Sequence, residues 1–484
     1  MNNWTGKRVL ILGAARQGLS LARWLARHGA RVTLNDLRPL DDMRAAQVSL
    51  ADVDVEWTLG GHPVELLDRV DLLCPSGGVP LTLPIVTEAI QRGIPLSNDT
   101  QIFLEAASCK TIDITGSAGK TTTTTLVGEM AKLKFKDKGE RMKDEESVAS
   151  SAAENIHNSS FIIHPSVFIG GNIGDPLINY VDDMTANDLA ILEISSFQLD
   201  QMTVSTDIAA ILNITPNHLD RHGTMEAYAA AKMRLLDFQK QNSISILGRD
   251  DTGSWSLRER VKGRLFTFSL NVLEEGLDGA YLDDGLLSFR DGFAYVPLIL
   301  REKIQLRGNH NVGNVLAAFA VGHAAGLPLD AMLEAAENFR GVPHRLELVR
   351  ELHGARWYND SMASAPERTI AAIRSFDEPI VLLLGGRDKN LPWGELADLV
   401  HRRVEHVILF GEAAGMIEAA FGSPSGATRT QARCNGLREA VVRAAEVAES
   451  GHVVLLSPGG TSFDEFKDFA ERGERFKLWV QELS

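Results

Sequence analysis

The part of this sequence best suited to chemistry is a short glycine-rich stretch with one lysine. Residues 113–130 read DITGSAGKTTTTTLVGEM. Small residues let backbone N–H groups converge on phosphate oxygens, and the start of a helix adds partial positive charge. The pattern predicts a phosphate-binding loop, although a Gly-rich turn with an incidental lysine is the alternative. The residues assigned to the loop are Gly116, Ser117, Ala118, Gly119, Lys120, Thr121 and Thr122.

Within this loop, Lys120 is expected to reach the β- and γ-phosphates of a nucleotide, and Thr121 to offer its hydroxyl to Mg²⁺. The full G-x-x-x-x-G-K-[ST] pattern is not met, because Ile114 stands where its first glycine belongs. Five consecutive threonines favour a strand by propensity. The glycine loop and the strand before it favour a helix, which we predict.

Two later segments place polar residues just after predicted strands. Glu193 ends the apolar run of ILEISSFQLD, where a carboxylate can bind Mg²⁺ directly or through water. The segment LNITPNHLDRH is followed by a helix with Lys232. Ligands of α/β sheets bind at the carboxyl ends of strands. We therefore favour a functional cluster over isolated surface residues; its members are His218, Asp220, Arg221 and His222.

Other polar residues have structural explanations beside the functional ones. Asn311 and Asn314 stand at a predicted helix start, and capping alone would explain Asn311. Arg345 and Asp360 lie beside apolar runs, and the two could form only an ion pair.

A second glycine turn, G-A-A-R-Q-G, spans Gly13–Gly18 and departs from G-x-G-x-x-G at Ala15. It lies in a predicted strand–helix–strand unit that ends at Asp36, as dinucleotide-binding units do. A plain structural turn, a phosphate site helped by Arg16 and an NAD site all remain open.

Strands and helices alternate along three blocks of the chain, which predicts three α/β domains in series with mostly parallel sheets. The segment 133–165 breaks this order, because it is dense in Lys, Glu, Asp and Ser. We interpret it as a solvated helical or partly disordered insertion.

Composition limits the partners. The 484 residues carry a formal charge of −15, which disfavours nucleic acid and anionic membranes as partners. The three cysteines have no metal-ligand spacing. The first residues have no leader pattern, and no run of about 18 apolar residues occurs. We expect a cytoplasmic protein that is monomeric and acts on small molecules.

In this order, the segments resemble the Mur ligase family, the ATP-dependent amide-forming enzymes of peptidoglycan synthesis and hence of cell-wall formation, cell shape and division. The resemblance spans nearly the whole chain. It rests on I-T-G-S-A-G-K-T, G-G-N-I-G, E-I-S-S-F-Q-L, L-N-I-T-x-N-H-L-D-R-H, A-A-K, G-N-H-N-V-x-N, P-H-R-L-E and L-L-S-P-G-G-T-S-F-D-E-F-K-D-F. It implies a Rossmann-like domain over 1–108, a central P-loop ATPase domain over 109–340 and a Rossmann-like C-terminal domain over 341–484.

The S-S-F-Q-L segment points to the member that adds D-glutamate to UDP-N-acetylmuramoyl-L-alanine through an acyl phosphate, releasing ADP and phosphate. By this resemblance Thr121 and Glu193 hold one Mg²⁺, while His218 and a carbamylated Lys232 hold a second. Four groups of residues are implied to bind ligands: ATP by the loop with Asn311, Asn314, Arg345 and Asp360; UDP by Ala15, Arg16, Gln17, Asp36, Arg38 and Ser76; the muramoyl part by Asn172; and glutamate by Ser364, Lys389, Ser462 and Phe469.

One segment departs from the family pattern. D-S-K-A-T-N is D-S-M-A-S-A here, so that Met362, Ser364 and Ala365 replace a lysine, a threonine and an asparagine. These positions surround the implied amino-acid pocket, so L-glutamate is an alternative acceptor. A folylpolyglutamate- or cyanophycin-type ligase is a second alternative, and an NTPase that hydrolyses ATP to switch a partner is a third.

Overall fold

The computed structural model of the chain describes residues 3–149, 166–217, 219–389 and 391–484. It confirms the predicted α/β class, because helices pack on three separate sheets. The chain divides into two compact units, Met1–Phe339 and Arg340–Ser484, and the first unit contains two of the sheets. Within the described part of the chain, no helix combines the length and apolar character that crossing a bilayer requires.

The first sheet is parallel and has four strands. Residues Val9–Leu12, with the sequence V-L-I-L, form part of an inner strand that is buried on both faces of the sheet, which explains the unbroken apolar run. The elements of this region are β1 (Arg8–Leu12), α1 (Arg16–Arg27), β2 (Arg31–Asp36), α2 (Leu40–Ser49), β3 (Val55–Leu59), β4 (Leu72–Pro75), α3 (Pro84–Gln91) and α4 (Asp99–Ala106). The strand order is β3-β2-β1-β4, so the carboxyl ends of all four strands meet at one edge.

The second sheet has nine strands. Its elements are β5 (Lys110–Thr115), α5 (Lys120–Ala149), β6 (Val167–Gly171), β7 (Leu189–Glu193), α6 (Ser196–Leu199), β8 (Ile208–Ile211), α7 (Leu219–His222), α8 (Met225–Asp237), β9 (Ile244–Gly248), α9 (Thr252–Ser256), β10 (Arg264–Ser269), β11 (Gly279–Asp283), β12 (Leu286–Asp291), β13 (Ala294–Leu300), α10 (Asn309–Ala325) and α11 (Leu329–Asn338). The order is β13-β12-β11-β10-β9-β8-β5-β7-β6, parallel except at β11–β12–β13. β5 therefore lies inside the sheet, between β8 and β7.

The five threonines are helical, as predicted, because α5 begins at Lys120 directly after the glycine loop. Thr122, Thr123 and Thr124 are buried there, so tertiary packing outweighs their strand propensity. Residues 133–149 of the predicted insertion continue α5, and residues 150–165 lie outside the described residues.

Polar side chains join the first two sheets. Gln198 of α6 is buried and donates its amide Nε2 to Thr100 Oγ1 at 2.8 Å. Asn98 Nδ2 in turn donates to the Gln198 backbone carbonyl at 2.9 Å. Because these buried groups satisfy one another, the contact between α4 and α6 is specific as well as close.

The second unit has one six-stranded sheet. Its elements are β14 (Glu347–Leu352), β15 (Ala355–Asn359), α12 (Pro366–Ile373), β16 (Ile380–Gly385), α13 (Gly394–Arg403), β17 (Val404–Phe410), α14 (Ala414–Phe421), β18 (Thr430–Arg433), α15 (Leu437–Val447), β19 (Val453–Gly459) and α16 (Phe469–Glu482). The order is β14-β15-β19-β16-β17-β18, and only the β14–β15 pair is antiparallel. Loops after β15, β16 and β19 therefore meet at one edge of the sheet.

Candidate active site

The predicted phosphate loop connects β5 to α5. Gly119 has a φ of +85°, and a Cβ there would lie 2.2 Å from Asn314 Oδ1, so only glycine fits. Lys120 folds back over the loop and donates its Nζ to the carbonyls of Gly116 at 2.9 Å and Ser117 at 3.3 Å. This is a position from which the ammonium group can turn toward an anion above the loop.

An asparagine after β8 fixes the shape of the loop. Asn213 Oδ1 accepts the Ala118 N–H at 2.8 Å, and its Nδ2 donates to the Ala118 carbonyl at 3.1 Å. Ser117 Oγ donates to the Thr215 carbonyl at 2.9 Å. The segment after β8 therefore holds the glycine loop from one side.

A buried carboxylate lies beside the start of α5. Glu193 at the end of β7 is 2% exposed; its Oε2 accepts the Thr121 hydroxyl at 2.7 Å, and its Oε1 accepts Asn172 Nδ2 at 2.9 Å. The close approach needs Gly171, where φ is +92° and a Cβ would lie 2.4 Å from the Glu193 carbonyl oxygen. The structure thus brings three of the predicted site residues together.

Lys232 of α8 is buried at the base of the same loop, with 1% of its surface exposed. Its Nζ donates to Thr115 Oγ1 at 3.2 Å and to the Gly116 carbonyl at 3.1 Å, and it lies 4.8 Å from the ring centre of Tyr228. Burial, followed by the charge of Lys120, lowers the pKa of Lys232 to about 7. An appreciable fraction of this amine is therefore neutral near physiological pH.

The histidine cluster after β8 is described in part. His218 lies outside the described residues, as does the side chain of Asp220. His222 Nε2 is 2.9 Å from Ser196 Oγ, and its ring stacks on Phe197. Arg221 bonds to backbone carbonyls of the first sheet's region, at Gly77 and Val79.

Asn311 and Asn314 lie inside the first turns of α10. Asn314 Nδ2 donates to Asn311 Oδ1 at 3.0 Å, and Asn314 Oδ1 faces Gly119. The capping explanation for Asn311 is wrong, because the N-cap of α10 is Gly308. Asn311 instead donates its amide to the Arg307 carbonyl at 2.8 Å.

The first glycine turn is tied to the end of β2. Asp36 Oδ2 accepts the Ala14 N–H at 2.7 Å and Arg38 Nη2 at 2.8 Å, while its Oδ1 accepts Arg38 Nε at 2.9 Å. These bonds to Arg38 hold the pKa of the Asp36 carboxyl well below its usual range. Ser76 donates its hydroxyl to the Gly13 carbonyl at 3.1 Å.

Three predicted UDP-binding residues follow in sequence at this turn. Ala15 is the N-cap of α1, and Arg16 and Gln17 begin the helix. The turn therefore presents a helix N-terminus, which attracts anions, at the carboxyl edge of the first sheet.

In the second unit, the predicted glutamate-binding residues cluster on the loops after the strands. Lys389 Nζ donates to Ser364 Oγ at 3.3 Å, and Ser462 is buried. Phe469, at the start of α16, is 40% exposed and accepts the Ser361 hydroxyl on its carbonyl at 2.7 Å.

Asp360 and Arg345 were both predicted to bind ATP. The charge of Arg345 acts to lower the pKa of Asp360, but the two side chains form no direct ion pair in the described part of the chain. Asp360 instead accepts the Ser457 hydroxyl at 2.8 Å and the Leu346 N–H at 3.3 Å. Burial raises the pKa of Asp360 to about 7 in spite of these bonds. Near neutral pH, a cation placed close to Asp360 would therefore favour the ionised form of its carboxyl group.

Known protein families match three consecutive parts of this chain. Residues 7–98 match the Mur ligase MurD-like N-terminal domain, residues 114–322 the Mur ligase middle domain, and residues 344–460 the Mur ligase glutamate ligase domain. The chain belongs to the Mur ligase family.

Full-length relatives agree with the family assignment. The UDP-N-acetylmuramoylalanine–D-glutamate ligase of Pelotomaculum thermopropionicum is 36% identical over 484 residues, covering 100% of this chain and 99% of that protein. The ligase of the same name from Acidobacterium capsulatum is 37% identical over 476 residues, covering 98% and 95%.

Solved structures share the fold. The UDP-N-acetylmuramate–alanine ligase of Thermotoga maritima aligns with a TM-score of 0.52 at 18% identity, covering 98% of this chain and 99% of that one. The three-domain α/β fold of this Mur ligase is thereby confirmed.

The donors beside the loop fit a hard divalent cation. Glu193 is a buried carboxylate and Thr121 a hydroxyl, both oxygen donors of the kind Mg²⁺ prefers. Among the described residues, no three His, Cys, Asp or Glu side chains converge as a metal centre. A cation here would complete its shell with phosphate oxygens and water, as Mg²⁺ usually does.

Several residues of this Mur ligase site were missed from the sequence. Asn213, Thr115 and Tyr228 contact Ser117, Ala118 or Lys232, but none was assigned a role. Asn213 is the first polar residue after the apolar run of β8, and that position was a usable signal. Thr115 and Tyr228 have no such signal, because threonine and tyrosine are ordinary strand and helix residues.

Proposed function

We propose that this Mur ligase joins D-glutamate to the L-alanine carboxylate of UDP-N-acetylmuramoyl-L-alanine, converting ATP to ADP and phosphate. The observation that supports this proposal most strongly is the arrangement of side chains around the phosphate loop. Lys120 folds over the loop, Thr121 and Asn172 bond to Glu193, and Lys232 lies beneath. The names of the full-length relatives support the choice of substrates.

In the first step, an oxygen of the alanine carboxylate attacks the γ-phosphorus of ATP. An O–P bond forms and ADP leaves, giving an acyl phosphate. The glutamate amine then attacks the carbonyl carbon, loses a proton and expels inorganic phosphate from a tetrahedral intermediate. Two anions must approach each other in the first step, so Lys120 offsets their repulsion and stabilises charge on the transferred group.

Mg²⁺ is proposed to bind Thr121 and Glu193 together with ATP. When bound, it supplies positive charge to the phosphate oxygens. We assign Lys232 and His218 to a second ion by the family resemblance.

A carbamate on Lys232 is part of the proposal. The buried neutral amine can attack CO₂, forming an N–C bond and releasing a proton, which leaves a negatively charged carbamate. The change converts an amine beside Lys120 into an oxygen donor suited to Mg²⁺. The burial of Lys232 and its lowered pKa support this assignment.

Substrate-binding roles follow the same resemblance. We assign Asn172 to the muramoyl part, and Asn311, Asn314, Arg345 and Asp360 to ATP. The first glycine turn, with Ala15, Arg16, Gln17, Asp36, Arg38 and Ser76, is assigned to UDP. Lys389, Ser364, Ser462 and Phe469 are assigned to glutamate. We further propose a monomer acting in the cytoplasm, and the three free cysteines fit a reducing compartment.

The test supplies ATP, Mg²⁺ and UDP-N-acetylmuramoyl-L-alanine with each glutamate enantiomer separately. We expect a new amide product with equimolar ADP and phosphate from D-glutamate. The same product from L-glutamate alone would reassign the acceptor, which the replacements at Met362, Ser364 and Ala365 make a specific alternative. ATP hydrolysis without amide formation would instead indicate an NTPase and overturn the ligase proposal.

A matched pair of variants separates the loop from its helix. Lys120→Ala removes the cation that folds over the loop, whereas Lys132→Ala removes an exposed lysine on the same helix, paired with Glu129 at 2.8 Å. Lys120→Ala should lower kcat by about 10²–10³-fold. Lys132→Ala should leave kcat unchanged.

A further inference from the structure

The turn before β14 contains two residues with side chains in the left-handed region of the backbone. His344 has a φ of +64° and Leu346 a φ of +46°, and Arg345 lies between them. A side chain disfavours this conformation, so the conformation persists only where the surroundings fix it. Arg345 is exposed, and we assign it to ATP. The groups that fix this turn therefore bear on function.

The backbone of the turn is bonded on both sides of Arg345. The His344 N–H donates to Glu347 Oε2 at 2.8 Å. The Leu346 N–H donates to Asp360 Oδ1 at 3.3 Å. Asp360 is itself assigned to ATP, whereas Glu347 has no assigned role. Glu347 is therefore available for a positioning role.

The carboxylate of Glu347 is held from two sides. Its Oε2 accepts Nδ2 of the fully buried Asn359 at 3.0 Å, and its Oε1 accepts Lys477 Nζ of α16 at 3.0 Å. Asn359 Oδ1 accepts the Ser361 N–H at 3.1 Å, which fixes the orientation of the amide and directs Nδ2 to Glu347. The carboxylate therefore has a fixed position beside the turn.

The same amide fixes the ring of His344. Asn359 Nδ2 lies 3.0 Å from His344 Nδ1, which accepts because the amide nitrogen can only donate. Burial lowers the pKa of His344, which favours the neutral ring that this bond requires. Gly473 of α16 packs against the ring, since a Cβ there would lie 2.1 Å from Nδ1. One connected network thus holds both the side chain and the backbone of His344.

We infer that Glu347 and Asn359 are positioning residues for Arg345, because they keep the turn in the conformation that directs this arginine toward ATP. The inference rests on the proposed assignment of Arg345 to ATP. Without the network, the left-handed residues would relax toward ordinary backbone conformations, and the guanidinium would be in place in only a fraction of the molecules. The apparent affinity for ATP falls by that fraction.

The first experiment compares Glu347→Ala with Glu405→Ala. Both glutamates lie at the beginning of a strand of the same sheet, and both side chains are 19% exposed and paired with a basic residue. Glu347→Ala should raise the KM for ATP about tenfold at nearly unchanged kcat, because the arginine is less often in place. Glu405→Ala should leave this KM unchanged. A wild-type KM for ATP in Glu347→Ala would overturn the inference.

Two further variants separate the network from the bulk of the side chain. Glu347→Gln retains an acceptor for the His344 N–H, so it should keep most of the wild-type affinity for ATP. Asn359→Asp retains the acceptor for Ser361 but places an oxygen against His344 Nδ1 and Glu347. It should raise the KM for ATP about tenfold, and an unchanged KM would remove Asn359 from the proposed role.

A double-mutant cycle tests whether the effect passes through Arg345. Arg345→Ala should raise the KM for ATP by itself, and adding Glu347→Ala should then change it little, because the group to be positioned is already absent. A merely structural role would instead lower the activity of both backgrounds by the same factor. Additive effects on the KM for ATP would therefore contradict the positioning role.

The outcomes separate this inference from the proposed reaction. Hydrogen exchange of the Leu346 N–H, measured without nucleotide, should be faster in Glu347→Ala than in Glu405→Ala, whatever the enzyme catalyses. A wild-type chain that forms no amide, but whose calorimetric ATP binding weakens in Glu347→Ala as in Arg345→Ala, would defeat the reaction and keep the positioning role. An active ligase whose Glu347→Ala variant exchanges at the wild-type rate would defeat the positioning role alone.

Discussion

Two fully buried basic side chains, one in each compact unit, have different surroundings. Lys232 lies beneath the phosphate loop and Arg472 lies in the first turn of α16, at 1% and 0% exposure. Arg472 donates to Ser361 Oγ at 3.0 Å, the Ser361 carbonyl at 2.9 Å and the Gly460 carbonyl at 3.1 Å. Among the described residues Lys232 donates to two acceptors, and the charge of Lys120 is close by.

The consequence is a difference in protonation. Burial lowers the pKa of Arg472 to about 10, so its guanidinium stays charged at neutral pH, whereas the pKa of Lys232 is about 7. An arginine offers a rigid fork of donors, and a buried lysine can give up its proton. Arg472 therefore suits a structural role that joins the loops after β15 and β19, and Lys232 suits a chemical one.

The largest expected effect comes from removing the Lys232 side chain. Lys232→Ala should lower kcat by about 10²–10³-fold, because the proposed carbamate oxygen would be lost from the site. Short-chain carboxylates such as formate should restore part of the activity. Ligation assays with Lys240→Ala, an exposed lysine just after α8, provide the control. Wild-type activity in Lys232→Ala would mean that the amine has no chemical role.

Removing the structural cation should act on stability instead. Arg472→Met leaves three buried acceptors without donors, which we expect to cost about 3 kcal/mol of unfolding free energy in the second unit. Urea unfolding, with hydrogen exchange of the loops that contain Ser361 and Gly460, measures the effect. Arg472→Lys should lose less, because one donor group remains. An unchanged unfolding midpoint in Arg472→Met would contradict the structural role.

A buried acid sharpens the comparison, because no described residue pairs with its carboxyl group. Asp113 in β5 is fully buried, and neither of its oxygens has a partner among the described residues. Asp113→Ala should therefore stabilise the first unit by about 2 kcal/mol, measured by hydrogen exchange of β5.

The pH dependence of the Asp113 effect has a definite sign. Burial raises its pKa well above 3.8, so the folded chain holds a proton that the unfolded chain releases. The contribution of the protonated acid is complete below pH 3.8 and is lost as the pH rises toward the folded-state pKa. The advantage of Asp113→Ala should grow as the pH rises from 4 toward the folded-state pKa. A constant difference between the two proteins would contradict the raised pKa.

A last difference between the two buried basic side chains is a pH slope due to Lys232. Its folded pKa of about 7 lies below the ordinary value of 10.5, so between these values the unfolded chain binds the extra proton. Stability should rise with pH across this window by up to about 1.4 kcal/mol per pH unit and be lost as the pH falls toward 7. Measured without CO₂, Lys232→Met should flatten the slope, whereas Arg472→Lys should leave it unchanged.

Much of the fold follows from local sequence. The apolar runs that end in glycine predict β1, β5 and β16, and the helical start at Lys120 follows from the strand and loop before it. β3 and β6 were missed as strands. The V-E-W-T-L run of β3 alternates only weakly between apolar and polar residues, and most of its residues are half-buried. The strand β6 follows the segment that we interpret as an insertion.

The site was predictable where a motif carries the chemistry. Glu193, Thr121 and Asn172 do meet, although they lie on three different elements. Contacts that depend on tertiary packing were not predictable. His62 shows this clearly, because its Nδ1 lies 2.5 Å from Oδ1 of Asn35, whose amide Nδ2 donates to the Thr58 and Gly61 carbonyls.

The buried amide of Gln198 has a consequence for protein engineering. Its Nε2 donates to Thr100 Oγ1, and Asn98 donates to the Gln198 backbone carbonyl, so the region of the first sheet has a surface that matches α6 specifically. Separating the two regions near residue 108 would break these hydrogen bonds and expose the buried polar groups to solvent. Chimaeras that exchange the first sheet between relatives should therefore exchange α6 with it.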